Sequence, residues 1–138
     1  MAEKPPTLLL DASALLVYLQ REPGFEAVRE AHKVAPLTRE GAAISAVNLA
    51  EVAGKLKAKG KDPDRMVRRL LAMGLEVLPF TLEEALEAGA LDPLTRPLGL
   101  SLGDWACLAA GKVRGLPVLT ADRDWLGVVP GVEVRPVR

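Results

Sequence analysis

The feature that most constrains the fold is the alternation of short apolar segments with longer helical ones. A short, continuous apolar run is typical of a strand that is covered on both faces, as in a parallel sheet. Strands that alternate with helices indicate βαβ units, so the sequence predicts an α/β fold with helices on both faces of a mostly parallel sheet. About five strands are predicted, over residues 7–10, 42–44, 76–78, 116–120 and 132–134.

Capping residues place the helices between these strands. Ser45 and Asp62 suit helix N-caps, and Pro63 suits the first turn after Asp62. Thr81 and Ser101 each precede an acid by three residues, which is the pattern of a capping box. Residues 91–100 contain two prolines and a glycine and are predicted as a loop. Helices are predicted over residues 14–19, 25–34, 46–60 and 63–73, and onward from both capping boxes.

The composition narrows the chemistry that this chain can perform. Its 138 residues suit one domain, predicted over residues 1–138. Basic and acidic residues number 18 each, so any contact with nucleic acid must come from a local basic patch. The single cysteine, Cys107, excludes an internal disulfide and a cysteine-based zinc site, and the single histidine, His32, is predicted on a surface helix. No targeting signal or membrane-spanning run is visible, so we expect a cytoplasmic protein.

Four acids are predicted to meet at one edge of the sheet. Asp11 and Asp122 follow predicted strands, and Asp104 lies in the first turn of a helix. Ligands of open α/β sheets bind beyond the carboxyl ends of the strands, where these residues lie. Glu51 lies deeper in its helix, but helical side chains tilt toward the N-terminus and therefore toward the same edge. Asn48, three residues earlier, shares the face of Glu51 and is expected to orient it.

Each acid also has a purely structural explanation. Asp11 can cap the first helix, Asp104 can complete a capping box, and Asp122 can cap a turn. Glu51 can pair with Lys55 on a solvated face. These explanations do not account for two acids that directly follow buried strands at the ligand edge. If the carboxylates converge, their repulsion requires protonation or a cation, and an all-oxygen site favours Mg²⁺ or Mn²⁺. Such a site suits hydrolysis of a phosphodiester.

Four motifs occur in order over nearly the whole chain. They are residues 8–13 (LLLDAS), 45–52 (SAVNLAEV), 100–109 (LSLGDWACLA) and 118–125 (VLTADRDW). In their order and spacing they resemble PIN-domain ribonucleases, specifically the VapC type of toxin from type II toxin–antitoxin pairs. The resemblance implies a single PIN-like α/β/α sandwich and cleavage of single-stranded or structured RNA that depends on Mg²⁺ or Mn²⁺. It also implies a homodimer and a cognate antitoxin that blocks the site.

The resemblance also assigns roles to individual residues. Ser13 and Thr120 match polar positions that support the first and last acids. Asp124 leaves the choice of the fourth acid open, although Asp122 is closer to the end of its strand. The acids that the resemblance makes catalytic and metal-binding are Asp11, Glu51, Asp104 and Asp122.

A local excess of positive charge lies between residues 55 and 69. This segment contains seven Lys or Arg residues and two Asp residues, which gives a surplus of five positive charges. The surplus suits a groove for an RNA backbone, but it equally suits a solvated helical surface. The residues that we select as RNA contacts are Lys55, Arg65 and Arg68.

Two other functions remain open at this point. A receiver domain or a haloacid-dehalogenase-like phosphatase shares a doubly wound sheet and an acidic pocket. The receiver needs adjacent acids near the first strand, and the phosphatase needs an Asp where Ser13 stands. A PIN-like module that binds RNA or protein without catalysis is the other alternative, and the presence of all four candidate acids argues against it. Affinity for Mg²⁺ or Mn²⁺ separates the enzyme from such a module.

Overall fold

One five-stranded sheet forms the centre of the fold. The structure, a computed structural model, describes residues 6–20, 41–125, 127 and 129–136. The strands are β1 (Pro6–Leu10), β2 (Gly41–Ser45), β3 (Glu76–Leu78), β4 (Val118–Thr120) and β5 (Val134–Pro136). They are arranged in the order β3-β2-β1-β4-β5, and every neighbouring pair is parallel. The α/β class and the parallel sheet of five strands are therefore confirmed.

The described residues also form five α-helices and two 3₁₀ turns. The Ser45 hydroxyl accepts the N–H of Val47 at 3.3 Å, and Asp62 accepts the N–H of Arg65 at 3.2 Å, so both predicted N-caps are confirmed. In the described part of the chain, no helix is both long enough and apolar enough to cross a membrane. The helices are α1 (Ala12–Gln20), α2 (Ala46–Ala58), α3 (Pro63–Ala72), α4 (Leu82–Thr95) and α5 (Leu102–Arg114), and the 3₁₀ turns are Arg96–Leu98 and Arg123–Trp125.

Helices cover both faces of the sheet. Successive side chains of a strand point to opposite faces, so neighbouring strand residues belong to different buried clusters. Leu10 and Ile44 belong to a buried cluster with residues of α1, α2 and α3. Leu9 and Ala43 belong to a second buried cluster with residues of α4 and α5 and with Trp125. Burial of a leucine stabilises the fold by about 1.5–3 kcal/mol, so the apolar runs of the sequence supply both cores.

The strand order sets the location of the site. The chain leaves β1 toward β2 and β3 on one side, and it later returns to β4 and β5 on the other side. Open α/β sheets bind ligands where the strand order reverses in this way, beyond the carboxyl ends of the strands. Here that point lies between β1 and β4, where the N–H of Asp11 donates to the carbonyl of Leu119 at 3.1 Å.

One segment prediction is wrong, the bounds of the fifth strand are shifted, and one prediction lies outside the described residues. Residues 91–100 are not a loop, because α4 continues through Pro93 and a 3₁₀ turn follows it. Leu91 is buried in the second cluster, and Pro93 removes a hydrogen bond only in the last turn. The predicted fifth strand, residues 132–134, is present but begins only at Val134, and the N–H of Val132 donates to the carbonyl of Val129 instead of to a neighbouring strand. The predicted helix 25–34, with His32, falls in the undescribed part of the chain.

Candidate functional site

Asp11 is the most buried of the four acids, with 3% of its surface exposed. It follows β1 directly and accepts the N–H of Ala14 at 2.7 Å, which caps α1. The Thr120 hydroxyl donates to Oδ2 of Asp11 at 2.6 Å. The Ser13 hydroxyl lies 2.8 Å from each oxygen of the same carboxylate. Both carboxylate oxygens are therefore held in place by side chains from two separate segments.

Ser13 and Thr120 also connect Asp11 to the loop that contains Asp122. The N–H of Ala121 donates to the Ser13 hydroxyl at 3.0 Å, and the N–H of Asp122 donates to the Thr120 hydroxyl at 3.0 Å. These contacts join the start of α1 to the end of β4. The residues selected from the sequence as supports, Ser13 and Thr120, thus both contact Asp11 directly.

Glu51 is held over the first turn of α5. The Asn48 amide donates to Oε1 of Glu51 at 2.9 Å and to the Gly103 carbonyl at 2.9 Å. The Glu51 carboxylate lies so close to Gly103 that a Cβ atom there would come within 2.3–2.4 Å of its atoms. No ion pair joins Glu51 to Lys55 among the described residues, so the surface-pair explanation of Glu51 is not realised.

The structure thereby identifies Gly103 as a residue of the site that the sequence analysis missed. A signal for it was present: a glycine in the first turn of a predicted helix costs about 1 kcal/mol relative to alanine. Such a residue indicates close approach by another group. Here that group is the Glu51 carboxylate.

Asp104 and Asp122 both form the local contacts that their sequence context predicts. Oδ2 of Asp104 accepts the N–H of Ser101 at 2.9 Å, and the N–H of Asp104 donates to the Ser101 hydroxyl at 3.2 Å. This is a complete capping box at the start of α5. Oδ1 of Asp122 accepts the N–H of Asp124 at 2.9 Å, while Asp124 itself is exposed. Each of these bonds engages one carboxylate oxygen, and a carboxylate has a second oxygen with which to bind a ligand.

Electrostatic effects show that three of the acids share one neighbourhood. Burial raises the pKa of Asp11 to about 6, against the lowering effect of hydrogen bonds from Thr120, Ala14 and Ser13, and the Asp104 charge raises it further. Burial also raises the pKa of the Cys107 thiol well above its usual value. The charges of Asp11, Asp104 and Glu51 add to that rise in the pKa of Cys107. These three carboxylates therefore act on the same buried thiol of α5.

The same residues can be tested for their fit to a divalent cation. Among the described residues, no group of three or more Asp, Glu, His or Cys side chains is arranged to hold a metal ion directly. Mg²⁺, however, usually keeps several waters and takes one or two carboxylates together with substrate phosphate oxygens. Oδ1 of Asn48 is buried and has no hydrogen-bond partner, and the carboxylate of Asp11 is desolvated. An oxygen-only donor set of this kind fits a hard cation that keeps several of its waters better than a cation whose ligands all come from the protein.

The basic residues selected from the sequence lie on exposed surfaces of α2 and α3. Lys55 is one helical turn beyond Glu51 on α2. Arg65 is exposed near the start of α3. Arg68 forms an ion pair of 2.9 Å with Asp64 on its own helix, which offsets part of its charge. Of these three basic residues, only Lys55 lies on the same helix as one of the four acids.

Both the sequence and the fold of this chain are similar to those of known proteins. The sequence model of the PIN domain family matches residues 8–129, a stretch that contains all four acids. The fold is similar to a toxin–antitoxin complex from Klebsiella pneumoniae, with a TM-score of 0.70 and 21% identity over 96% of this chain and 98% of that chain. It is also similar to VapBC2 from Rickettsia felis bound to a DNA fragment from their promoter, with a TM-score of 0.72 and 14% identity over 94% and 98% of the two chains.

A third similar structure is FitAcB from Neisseria gonorrhoeae, with a TM-score of 0.66 and 20% identity over 95% of this chain and 98% of that chain. No curated protein sequence matches the chain. At these identities the solved structures establish the shared fold. The family match extends over most of the sequence, and on that ground this chain belongs to the PIN domain family.

Proposed function

We propose that this protein is a metal-dependent endoribonuclease that acts as the toxin of a toxin–antitoxin pair. The observation that carries the proposal is the buried Asp11 carboxylate, which Ser13 and Thr120 hold by both oxygens. Asp104 and Glu51 act electrostatically on the same neighbourhood. Burial of an acid beside other acids is unfavourable for stability, which is typical of a site kept for chemistry.

The acids would act through a divalent cation, Mg²⁺ or Mn²⁺. Bound there, the cation would stabilise negative charge on a phosphate and lower the pKa of a water that attacks the RNA phosphodiester. The residues that we propose as its ligands, directly or through water, are Asp11, Glu51, Asp104 and Asp122.

The neighbouring side chains of the chain would orient these acids. The Thr120 hydroxyl donates to Oδ2 of Asp11 and the Ala14 N–H donates to Oδ1, which fixes the rotation of the carboxylate, and the Ser13 hydroxyl lies within hydrogen-bond distance of both oxygens. Asn48 fixes Glu51 against α5. Supporting hydrogen bonds of this kind typically change metal affinity or activity by ten- to a hundredfold when they are removed.

The partners are proposed from the solved structures that share this fold. The similar structures include a toxin–antitoxin complex from Klebsiella pneumoniae and VapBC2 from Rickettsia felis. We therefore propose RNA as substrate, a cognate antitoxin that covers the acids, a homodimer, and action in the cytoplasm by a nuclease domain that spans the chain. Growth arrest on expression alone, and its relief by a small neighbour-encoded protein that co-purifies with this one, would support the toxin assignment. Normal growth without such a protein would remove it and leave the nuclease.

The central test is cleavage of a pool of single-stranded and structured RNAs by the purified protein with Mg²⁺ or Mn²⁺. We expect cleavage that is lost in EDTA and in Asp11→Asn. Glu83→Gln is the matched control, since it removes an exposed carboxylate from the first turn of α4 and should leave cleavage unchanged. Metal binding without cleavage of any RNA in the pool would point to a narrower RNA target or to a bound inhibitor. Absence of both metal binding and cleavage would refute the enzyme.

A further inference from the structure

Asp122 is the one acid of the four that no α-helix supports. The other three lie in an α-helix or cap its start, whereas Asp122 lies in the loop that follows β4. A functional group on a loop is held less precisely than one on a helix or strand, unless packing and hydrogen bonds fix the loop. The position of the Asp122 carboxylate therefore depends on the contacts of its neighbours in the chain.

Hydrogen bonds fix the first half of this loop. The N–H of Ala121 donates to the Ser13 hydroxyl at 3.0 Å, and the N–H of Asp122 donates to the Thr120 hydroxyl at 3.0 Å. These bonds hold the chain where it enters Asp122. They do not set the direction in which the chain leaves Asp122, and that direction also bears on where the carboxylate lies.

The side chain of Trp125 fixes the second half of the loop. A 3₁₀ turn, Arg123–Trp125, follows Asp122, and the N–H of Trp125 donates to the carbonyl of Asp122 at 3.4 Å. The indole is 1% exposed and is the largest of the fully buried side chains in the described part of the protein. It belongs to the second buried cluster, together with Leu9 of β1 and Leu108 of α5. The turn is thus anchored in the core behind the site.

The indole nitrogen indicates which property of Trp125 matters. Nε1 is buried and, among the described residues, has no hydrogen-bond partner. A buried donor without an acceptor is unfavourable for stability, so the contribution of this side chain is not a hydrogen bond. Its contribution is the volume and shape that it fills in a closely packed core. Another aromatic ring should therefore replace it better than an aliphatic side chain does.

We propose that Trp125 is a positioning residue for Asp122, and that its buried indole holds the Asp122 carboxylate at the edge where β1 and β4 end. The same turn places the N–H of Asp124, which donates to Oδ1 of Asp122 at 2.9 Å and orients the carboxylate. The inference rests on the proposed function, in which Asp122 is a ligand of the divalent cation. It adds a residue of the core, outside the acids and their hydrogen-bonded supports, on which affinity for that cation depends.

The experiment measures the dissociation constant of Mn²⁺ by electron paramagnetic resonance and stability by urea unfolding, both on the full chain. Trp125→Met removes the ring but introduces an unbranched side chain that fills irregular gaps, which favours retention of the fold. Trp125→Phe keeps an aromatic ring. Leu91→Ala is the matched control, because it opens a cavity in the same cluster from α4, a helix that carries none of the four acids.

We expect Trp125→Met to weaken Mn²⁺ binding by about tenfold, as is typical when a group that supports a metal ligand is lost. Trp125→Phe should retain more of the affinity, and Leu91→Ala should lose stability but keep the wild-type affinity. The decisive comparison adds Asp122→Asn to Trp125→Met. If Trp125 acts through Asp122, its substitution should have no further effect once the Asp122 charge is gone, whereas independent effects would add.

Three results would overturn the role of Trp125. They are wild-type Mn²⁺ affinity in Trp125→Met, an equal loss of affinity in Leu91→Ala, and a loss that persists in the Asp122→Asn background. If Trp125→Met does not fold, Trp125→Phe takes its place in the double variant, where its smaller loss must likewise disappear.

The test also separates this inference from the proposed function. If the role of Trp125 is overturned while the wild type binds Mn²⁺ and cleaves RNA, the nuclease proposal stands. If the wild type does not bind Mn²⁺, the proposed function fails first, and the role of Trp125 fails with it.

Discussion

Gly103→Ala tests whether the acids work as one site. An alanine Cβ at this position would lie 2.3 Å from Oε1 of Glu51 and 2.4 Å from its Cδ and Oε2. Ordinary van der Waals contact begins near 3.4 Å, so the carboxylate must withdraw by about 1 Å or rotate away. Its hydrogen bond from the Asn48 amide would be lost or strained in either case.

The expected effects on stability and on catalysis differ in size. The colliding group is the end of a flexible, half-buried side chain, so it can move without a change in the backbone. Alanine also favours a helix over glycine by about 1 kcal/mol, and we expect the free energy of unfolding to change by no more than about 1 kcal/mol. A displacement of about 1 Å in a catalytic group can cost about a hundredfold in rate, or about 2.7 kcal/mol of activation free energy.

The assay compares kcat/KM for RNA cleavage with urea unfolding for two glycine-to-alanine variants. Gly54→Ala is the matched control, because Gly54 lies exposed on the helix of Glu51 and a Cβ there meets no atom within 4 Å. It should be as active as the wild type and slightly more stable. Glu51→Asp combined with Gly103→Ala shortens the side chain and should recover part of the lost rate. Wild-type cleavage by Gly103→Ala would refute the role of Glu51. A loss of activity that is matched by a loss of stability in urea would refute the claim that displacement of the Glu51 carboxylate lowers the rate.

Three further predictions concern the acids, the buried thiol and the basic surface. Since burial raises the pKa of Asp11 from 3.8 to about 6, the native state holds this proton more tightly than the unfolded chain does. The stability that comes from this proton is present below about pH 4 and is lost as the pH rises through about 6. Over that interval the free energy of unfolding of the metal-free wild type, measured in urea, should fall by about 3 kcal/mol relative to that of Asp11→Asn. Parallel pH profiles of the two proteins would contradict this prediction. Cys107 is fully buried and its pKa is raised, so a thiol reagent should label it only as fast as the native protein opens, and rapid labelling without denaturant would contradict its placement. Charge reversal at Arg65 and Arg68 should weaken RNA binding at low salt, and unchanged affinity would remove both residues from the RNA surface.

The parts of the fold that could be predicted are those that local chemistry decides. Ser45, Asp62 and Ser101 begin helices in the structure because their side chains accept backbone N–H groups at the helix start. The limits of α4 could not be predicted, because burial of Leu91 outweighs the local effect of Pro93. A glycine at position 103 indicates a close approach, but the approaching group could not be predicted, since the contact with Glu51 joins two helices that are distant in sequence.

The two explanations of the acids that the sequence left open are not exclusive. Asp11 caps α1, Asp104 completes a capping box, and Asp122 accepts the N–H of Asp124, as the structural explanation requires. The same contacts fix the positions of these carboxylates at the edge where β1 and β4 end. A cap orients a carboxylate toward a helix start, and helix starts that follow parallel strands lie at the ligand edge of the sheet. Capping therefore positions the acids of the candidate site, and a variant such as Ser101→Ala should lower activity through the orientation of Asp104 as well as the stability of α5.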